Sequence, residues 1–201
     1  MTDNIINFDE FMDSEFPNDE ITLMLHWKSW KQKPTSEDFK KMSYKMTTQT
    51  VTFNQLVQFI TFGRTCRPAI LAEGGASDKD FLGQQAFFID VDGTRTVAQS
   101  IAICKRRGIV PNIIYPSFNF GPTHQKHRLV FIAPDIIRDV ELRKQIQKEL
   151  SDIFLADPMT IPPHTMFAGG QTYFWADDIA RLDINELLSK GSAKGGENHV
   201  A

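Results

Sequence analysis

"QQAFFIDVDGTRT", residues 84–96, decides the fold. Its apolar run from Ala86 to Ile89 is almost continuous, which marks a deeply buried strand, and it ends in Asp90-Val91-Asp92-Gly93. Past Gly93 the period changes. Val97, Ala98, Ile101, Ala102 and Cys104 follow helical spacing up to "KRRG", where Lys105, Arg106 and Arg107 complement the helix dipole and Gly108 is a stop signal. "GIVPNIIYPSF" and "KHRLVFIAP" read as two strands joined by "NFGPTHQ", a link too short for the crossover helix of a parallel pair, so they are predicted antiparallel. A helix over "DVELRKQIQKELSDIF" follows, with Ile146, Leu150, Ile153 and Phe154 as its apolar stripe. The order strand, helix, strand, turn, strand, helix predicts an α+β fold. It is that of a ferredoxin-like or RNA-recognition-motif palm, with a mixed, largely antiparallel sheet flanked by helices.

Working outward, Thr52 to Gln55 has the form of a capping box, and Phe53, Leu56, Val57 and Ile60 predict a short helix up to Gly63. "RPAILAEGG" and "QTYFWA" read as further strands. The polar first 50 residues are read as a partly ordered N-terminal extension, 51–188 as the domain, and 189–201 as a flexible tail or linker. In "HWKSWKQK" the Trp residues are expected to pack on the core, although a basic, aromatic arm also suits nucleic acid.

The chain has 201 residues, 41% hydrophobic, enough for one sizeable core. No apolar stretch reaches the roughly 18 residues of a membrane helix and the N-terminus is acidic, so a cytoplasmic protein is expected. Cys66 and Cys104 stand in no metal-binding spacing and read as buried thiols. A net charge of −3 argues against non-specific coating of DNA, while leaving room for local basic clusters.

On a strand, Asp90 and Asp92 project to one side while Val91 points to the other. Two carboxylates roughly 5 Å apart repel by about 3 kcal/mol at an effective dielectric of about 20, so a cation between them is a natural resolution, and oxygen ligands suit Mg²⁺ or Mn²⁺. The same Asp-Val-Asp-Gly opens haloacid-dehalogenase-like phosphatases, where Asp90 would be nucleophile and Asp92 general acid, with Ser117 and Asp177-Asp178 as later motifs. That fold needs several parallel βα units, and the segment after Ser117 turns straight back. Arg128, inside a strand, is either a salt-bridge partner or a phosphate ligand. His124 and His127 each read more readily as hydrogen-bonded or surface residues than as ligands. Asp157 follows the long helix and is either a helix-stop Asp-Pro or a third carboxylate returned beside the first strand.

Together, "FFIDVDG", "IIYPSFN", "HRLVF" and "DPMTIPPHTMFAGG" resemble the archaeo-eukaryotic primase superfamily, specifically the primase-polymerase-like domains of plasmids, phages and mobile elements. The resemblance covers about residues 64 to 176. It implies that Asp90, Asp92 and Asp157 are catalytic and bind Mg²⁺ or Mn²⁺. It places Ser117, Asn119, His124, His127 and Arg128 around the incoming nucleoside triphosphate, and makes Arg64, Arg67, Lys105, Arg106 and Arg107 candidates for contact with a single-stranded DNA template. The implied activity is primer synthesis or extension by a two-metal mechanism in the replication of a mobile element, with a replicative helicase in cis or trans. The chain departs from the family at Phe120, where a His usually follows the second-motif Ser, and at His164-Thr165, where a basic residue is common. The alternative is therefore a weakened module that binds single-stranded nucleic acid or a nucleotide, and a phosphatase comes third.

Overall fold

The computed structural model describes residues 20–192. Residues 1–19, within the expected extension, and 193–201, within the expected tail, lie outside the described residues. The fold is α+β, with two antiparallel sheets and five α-helices among the described residues. The first sheet has the order β2-β1-β3-β8, formed by Thr47–Val51, Ile21–His26, Thr65–Arg67 and Phe167–Ala168. The second has the order β4-β5-β7-β6-β9, formed by Ala69–Leu71, Phe81–Val91, His127–Ile137, Ile113–Pro116 and Trp175–Ala176. All the pairings are antiparallel, so the expected mixed sheet is corrected. The same finding removes the phosphatase reading, whose core is a parallel sheet.

Helix α3 (Val97–Arg107) carries the chain from β5 to β6, and β7 inserts between those two strands. This is the split β-α-β arrangement that the element order predicted. Its helix starts at Val97, where a capping box that the sequence reading did not single out holds it: Thr96 accepts from the Gln99 N–H while Gln99 reaches back to the Thr96 N–H at 2.8 Å. Thr52 and Gln55 cap α2 (Phe53–Thr61) in the same way.

Strand alternation divides the second sheet into two buried faces. Ala86, Phe88, Ile113, Tyr115, Val130 and Ile132 pack against the first sheet and α2. Phe87, Ile89, Leu129 and Phe131 pack against α3, α4 (Val140–Phe154) and the C-terminal helix α5 (Ile184–Ser192). The molecule is thus layered as sheet with helix, sheet, and helices. That double burial explains why "AFFI" reads as a continuous apolar run.

Three expected elements are placed differently in the structure. From Ile21 onward the supposed extension supplies β1, α1 (Ser36–Ser43) and β2, and Ile21, Leu23 and Leu25 are fully buried. "RPAIL" is not one strand, because Pro68 separates β3 in one sheet from β4 in the other. "QTYFWA" shrinks to the two residues of β9. Cys66 and Cys104 are buried free thiols, pushed up to about 12 by desolvation.

Beyond Gln84, β5 has no sheet partner among the described residues on the side that β4 occupies earlier, yet its buried carbonyls are met. Gln84 donates to the Ala86 carbonyl at 2.9 Å, Gln147 of α4 to that of Phe88 at 3.0 Å, and the Asp157 N–H to that of Asp90 at 3.2 Å. Leaving such a carbonyl unpaired costs about 1–3 kcal/mol, which accounts for the buried glutamines. The last of these bonds places Asp157 alongside Asp90.

Candidate functional site

The site lies where β5, β7 and β6 end together. Register pairs Asp90 with Arg128 and Arg128 with Tyr115, so the three share the face turned to the first sheet. Arg128 Nε donates to Asp90 Oδ1 at 2.9 Å, and its Nη1 donates to the Ala168 carbonyl of β8. The guanidinium also lies 5.7 Å from the ring centroids of Tyr115 and of Phe167. Burial would pull the Arg128 pKa down, but the Asp90 carboxylate and Tyr115 outweigh it and hold the group above its ordinary value. Burial pushes the Tyr115 phenol up, opposed by Arg128, and its hydroxyl donates to the same Ala168 carbonyl at 3.4 Å.

One pleat further on stands a second row. Asp92 forms an ion pair with Lys126, and the Ser117 N–H donates to the Lys126 carbonyl at 3.0 Å across the β6–β7 hairpin. The carboxylates are therefore each met by a cation of β7 or its approach. Within this structure Arg128 is a salt-bridge partner, buried to 8% exposure. Lys126, absent from the predicted site, was findable from its place two residues before Arg128 on the same side of the strand.

The two histidines separate. His124 lies against Gly93, where a built Cβ would come 2.1 Å from the imidazole Cε1, so its ring covers the Asp90–Gly93 turn. His127 points to the other face of the sheet. Its Nδ1 donates to the Gln125 carbonyl at 2.7 Å and its Nε2 faces Ser100 Oγ of α3 at 2.8 Å, and desolvation lowers its pKa. His127 is thereby corrected from nucleotide ligand to packing residue. Ser117 and Asn119 belong to the hairpin loop, the Asn119 N–H donating to Ser117 Oγ at 3.3 Å.

Asp157 is beside Asp90 in main chain, but its carboxylate accepts from the Met159 N–H at 2.9 Å and caps a short 3₁₀ turn. Two residues that the sequence did not single out hold this segment in place. Thr94 donates to the Leu155 carbonyl at 3.2 Å and Arg95 to the Phe154 carbonyl at 3.2 Å, satisfying the end of α4. Among the described residues no three His, Cys, Asp or Glu side chains converge as a metal-binding group. Asp90 and Asp92 by themselves fit the Mg²⁺ habit of using one or two carboxylates with substrate phosphates.

The glycines of "FAGG" have a steric reason. A Cβ on Gly169 would lie 2.3 Å from the Ile60 carbonyl, and one on Gly170 2.6 Å from that of Pro116. The Gly169 N–H donates to the Arg64 carbonyl at 2.7 Å, so this segment wedges β8 against the end of α2 and over Arg128.

Of the predicted template contacts, Arg64 is partly exposed among aromatic rings, whereas Arg67 is corrected: at 3% exposure it lies inside, and desolvation lowers its pKa. Lys105, Arg106 and Arg107 form the last turn of α3, on the helical side of the sheet and about 15 Å along the helix from its start by the Asp90 end. Their placement is that of a dipole-complementing cap.

No family model and no curated protein matches the chain. Among solved structures, it is similar to the archaeo-eukaryotic primase domain of the cyanophage S-2L primase-polymerase, with 18% identity, a TM-score of 0.47, and coverage of 84% of this chain and 88% of that chain.

Proposed function

We propose that the protein is a template-directed nucleotidyltransferase of the primase-polymerase type, acting on single-stranded DNA with nucleoside triphosphates. The observation that carries this reading is the pair of rows at the end of the sheet, Asp90 with Arg128 and Asp92 with Lys126. The more exposed Asp92–Lys126 pair can exchange partners when a triphosphate arrives with its cation, while Asp90 stays held by Arg128. Lys126, partly exposed, would turn from Asp92 to phosphate, and His124 on Gly93 would border the same space. Asp90 and Asp92 would hold Mg²⁺ or Mn²⁺, which when bound supplies neutralisation of phosphate charge and a lowered hydroxyl pKa. Arg128 acts differently from the expectation: it fixes the Asp90 carboxylate in place through the Nε–Oδ1 bond. Asp157 would join as a third acid only by leaving its cap on Met159.

The binding-module reading is favoured by one observation, that the Asp157 carboxylate and Arg128 are both committed to structural partners. The discriminating experiment is incorporation of labelled nucleotides on single-stranded DNA, with and without primer, in Mg²⁺ or Mn²⁺. Wild type is compared with Asp90→Asn/Asp92→Asn. Metal-dependent product lost in the double variant supports the polymerase. Absence of product with undiminished strand binding leaves the binding module.

A further inference from the structure

We infer that the loop of residues 27–33 and the turn of residues 62–64 form a stacking platform for single-stranded nucleic acid, adjoining the carboxylate rows. Trp27 and Phe62 are each 57% exposed, against the expectation that the Trp residues are buried. They flank one cation: the Arg64 guanidinium lies 5.3 Å from the Trp27 ring centroid and 5.5 Å from that of Phe62, while Trp27 rests edge-on against Phe59 at 5.5 Å. Lys28 Nζ lies 3.7 Å from the ring centroid of Trp30.

These groups are held in place. The Trp30 N–H donates to the Gly63 carbonyl at 3.2 Å, Gln171 to the Lys31 carbonyl at 3.0 Å, and Arg64 Nε to Ser29 Oγ at 3.3 Å. Gly63 has φ +70°, and a Cβ there would lie 2.1 Å from the Trp30 carbonyl oxygen, so the loop seats directly on the turn. Exposed rings fixed by a scaffold offer π-faces that bases of any identity can stack on.

Charge selects the occupant. The chain is net acidic, yet between Ile21 and Ala72 its only acids are Glu37 and Asp38, beside Lys28, Lys31, Lys33, Lys40, Lys41, Lys45, Arg64 and Arg67. Among the described residues no carboxylate lies within ion-pair distance of Lys28, Lys31, Lys33 or Arg64. Aromatic faces between cations of this kind fit a polyanion that carries flat bases. The Arg64 carbonyl receives the Gly169 N–H, next to the Ala168 carbonyl that anchors Arg128, so a strand on the platform lies on the backbone segment that frames the carboxylates.

The inference rests on the nucleic-acid reading of the site, not on catalysis. Its test is the binding of the full chain to a fluorescent oligothymidylate, read by anisotropy at several salt concentrations. Trp27→Ala and Phe62→Ala should each weaken binding about tenfold. Arg64→Ala should weaken it and reduce the salt slope, with Arg64→Lys restoring the slope. Unlabelled oligothymidylate should also quench the wild-type tryptophan emission, a readout that needs no variant. Undiminished binding by folded Trp27→Ala/Phe62→Ala, no quenching, equal affinity for duplex, or displacement by polyglutamate as effective as by DNA would each overturn it. Asp90→Asn/Asp92→Asn should bind the strand as wild type does. No incorporation by the wild type together with platform-dependent binding would therefore sink the catalytic reading alone, and normal incorporation with platform-independent binding would sink the platform alone.

Discussion

Arg128 holds Asp90 through an Nε–Oδ1 bond of 2.9 Å, and the arginine side chain is the more buried of the two, 9% exposed against 23%. A buried ion pair costs desolvation on both sides, and removing one partner strands the other. Asp90→Ala should therefore destabilise the fold by about 3 kcal/mol, while Asp90→Ala/Arg128→Leu should recover much of that loss. Urea unfolding of the two singles and the double gives the coupling; additive losses would mean that the pair does not act as a unit.

Lys126 and Asp92 are a different case, with side chains 24% and 47% exposed. Such a pair contributes under about 1 kcal/mol, so Lys126→Met should leave the melting temperature nearly unchanged. If Asp92 is a metal ligand, the ammonium competes with the metal, and the variant should bind Mn²⁺ about fivefold more tightly by water-proton relaxation. Unchanged or weaker Mn²⁺ binding would remove Asp92 from the ligand set.

Gly93 has φ +77° and carries the His124 ring where a Cβ would stand. Gly93→Ala should cost about 1–2 kcal/mol from the left-handed backbone, and more from displacement of the hairpin loop. Adding His124→Ala should return the second part and not the first. Calorimetric melts of the single and double variants separate the two contributions.

Burial keeps His127 below its ordinary pKa of about 6.5, so it stays neutral in the fold at pH values where the unfolded chain already protonates it. The unfolded state then binds more protons. The contribution to stability is present above about pH 6.5 and is lost as pH falls below it toward the depressed folded value. His26, also lowered by burial, acts in the same direction. His127→Gln should flatten the stability profile between pH 7 and 5 in urea titrations, and an unchanged slope would assign the effect elsewhere.

How much of this was legible follows from which forces are local. Thr52 with Gln55 announces a helix start because both partners of the capping box lie within four residues, and the box of Thr96 with Gln99, equally local, went unread. The β6–β7 hairpin was legible from loop length, and the pairing of Asp90 with Asp92 on one side from the strand period. β1 was not, because a six-residue strand makes no hydrogen bonds of its own and its partners, β2 and β3, lie far along the chain. The side taken by His127, opposite Arg128, follows from the strand period, whereas that of His124 depends on the loop bridge of Gly121 with His124. Asp157 could be placed near Asp90 by order alone, but its cap on Met159 and the grip of Thr94 and Arg95 on the end of α4 are contacts between distant segments. The exposure of Trp27 likewise depends on Phe59 and Arg64.

The Ala168 carbonyl receives both the Tyr115 hydroxyl and Arg128, so the clasp between the two sheets at this end is a main-chain oxygen. Mutational scanning of position 168 would register side-chain volume alone and pass over the atom that fastens the layers. The genetic vulnerability of that clasp is displaced onto its neighbours, the two glycines whose missing methyl groups let the strand come close enough to offer it.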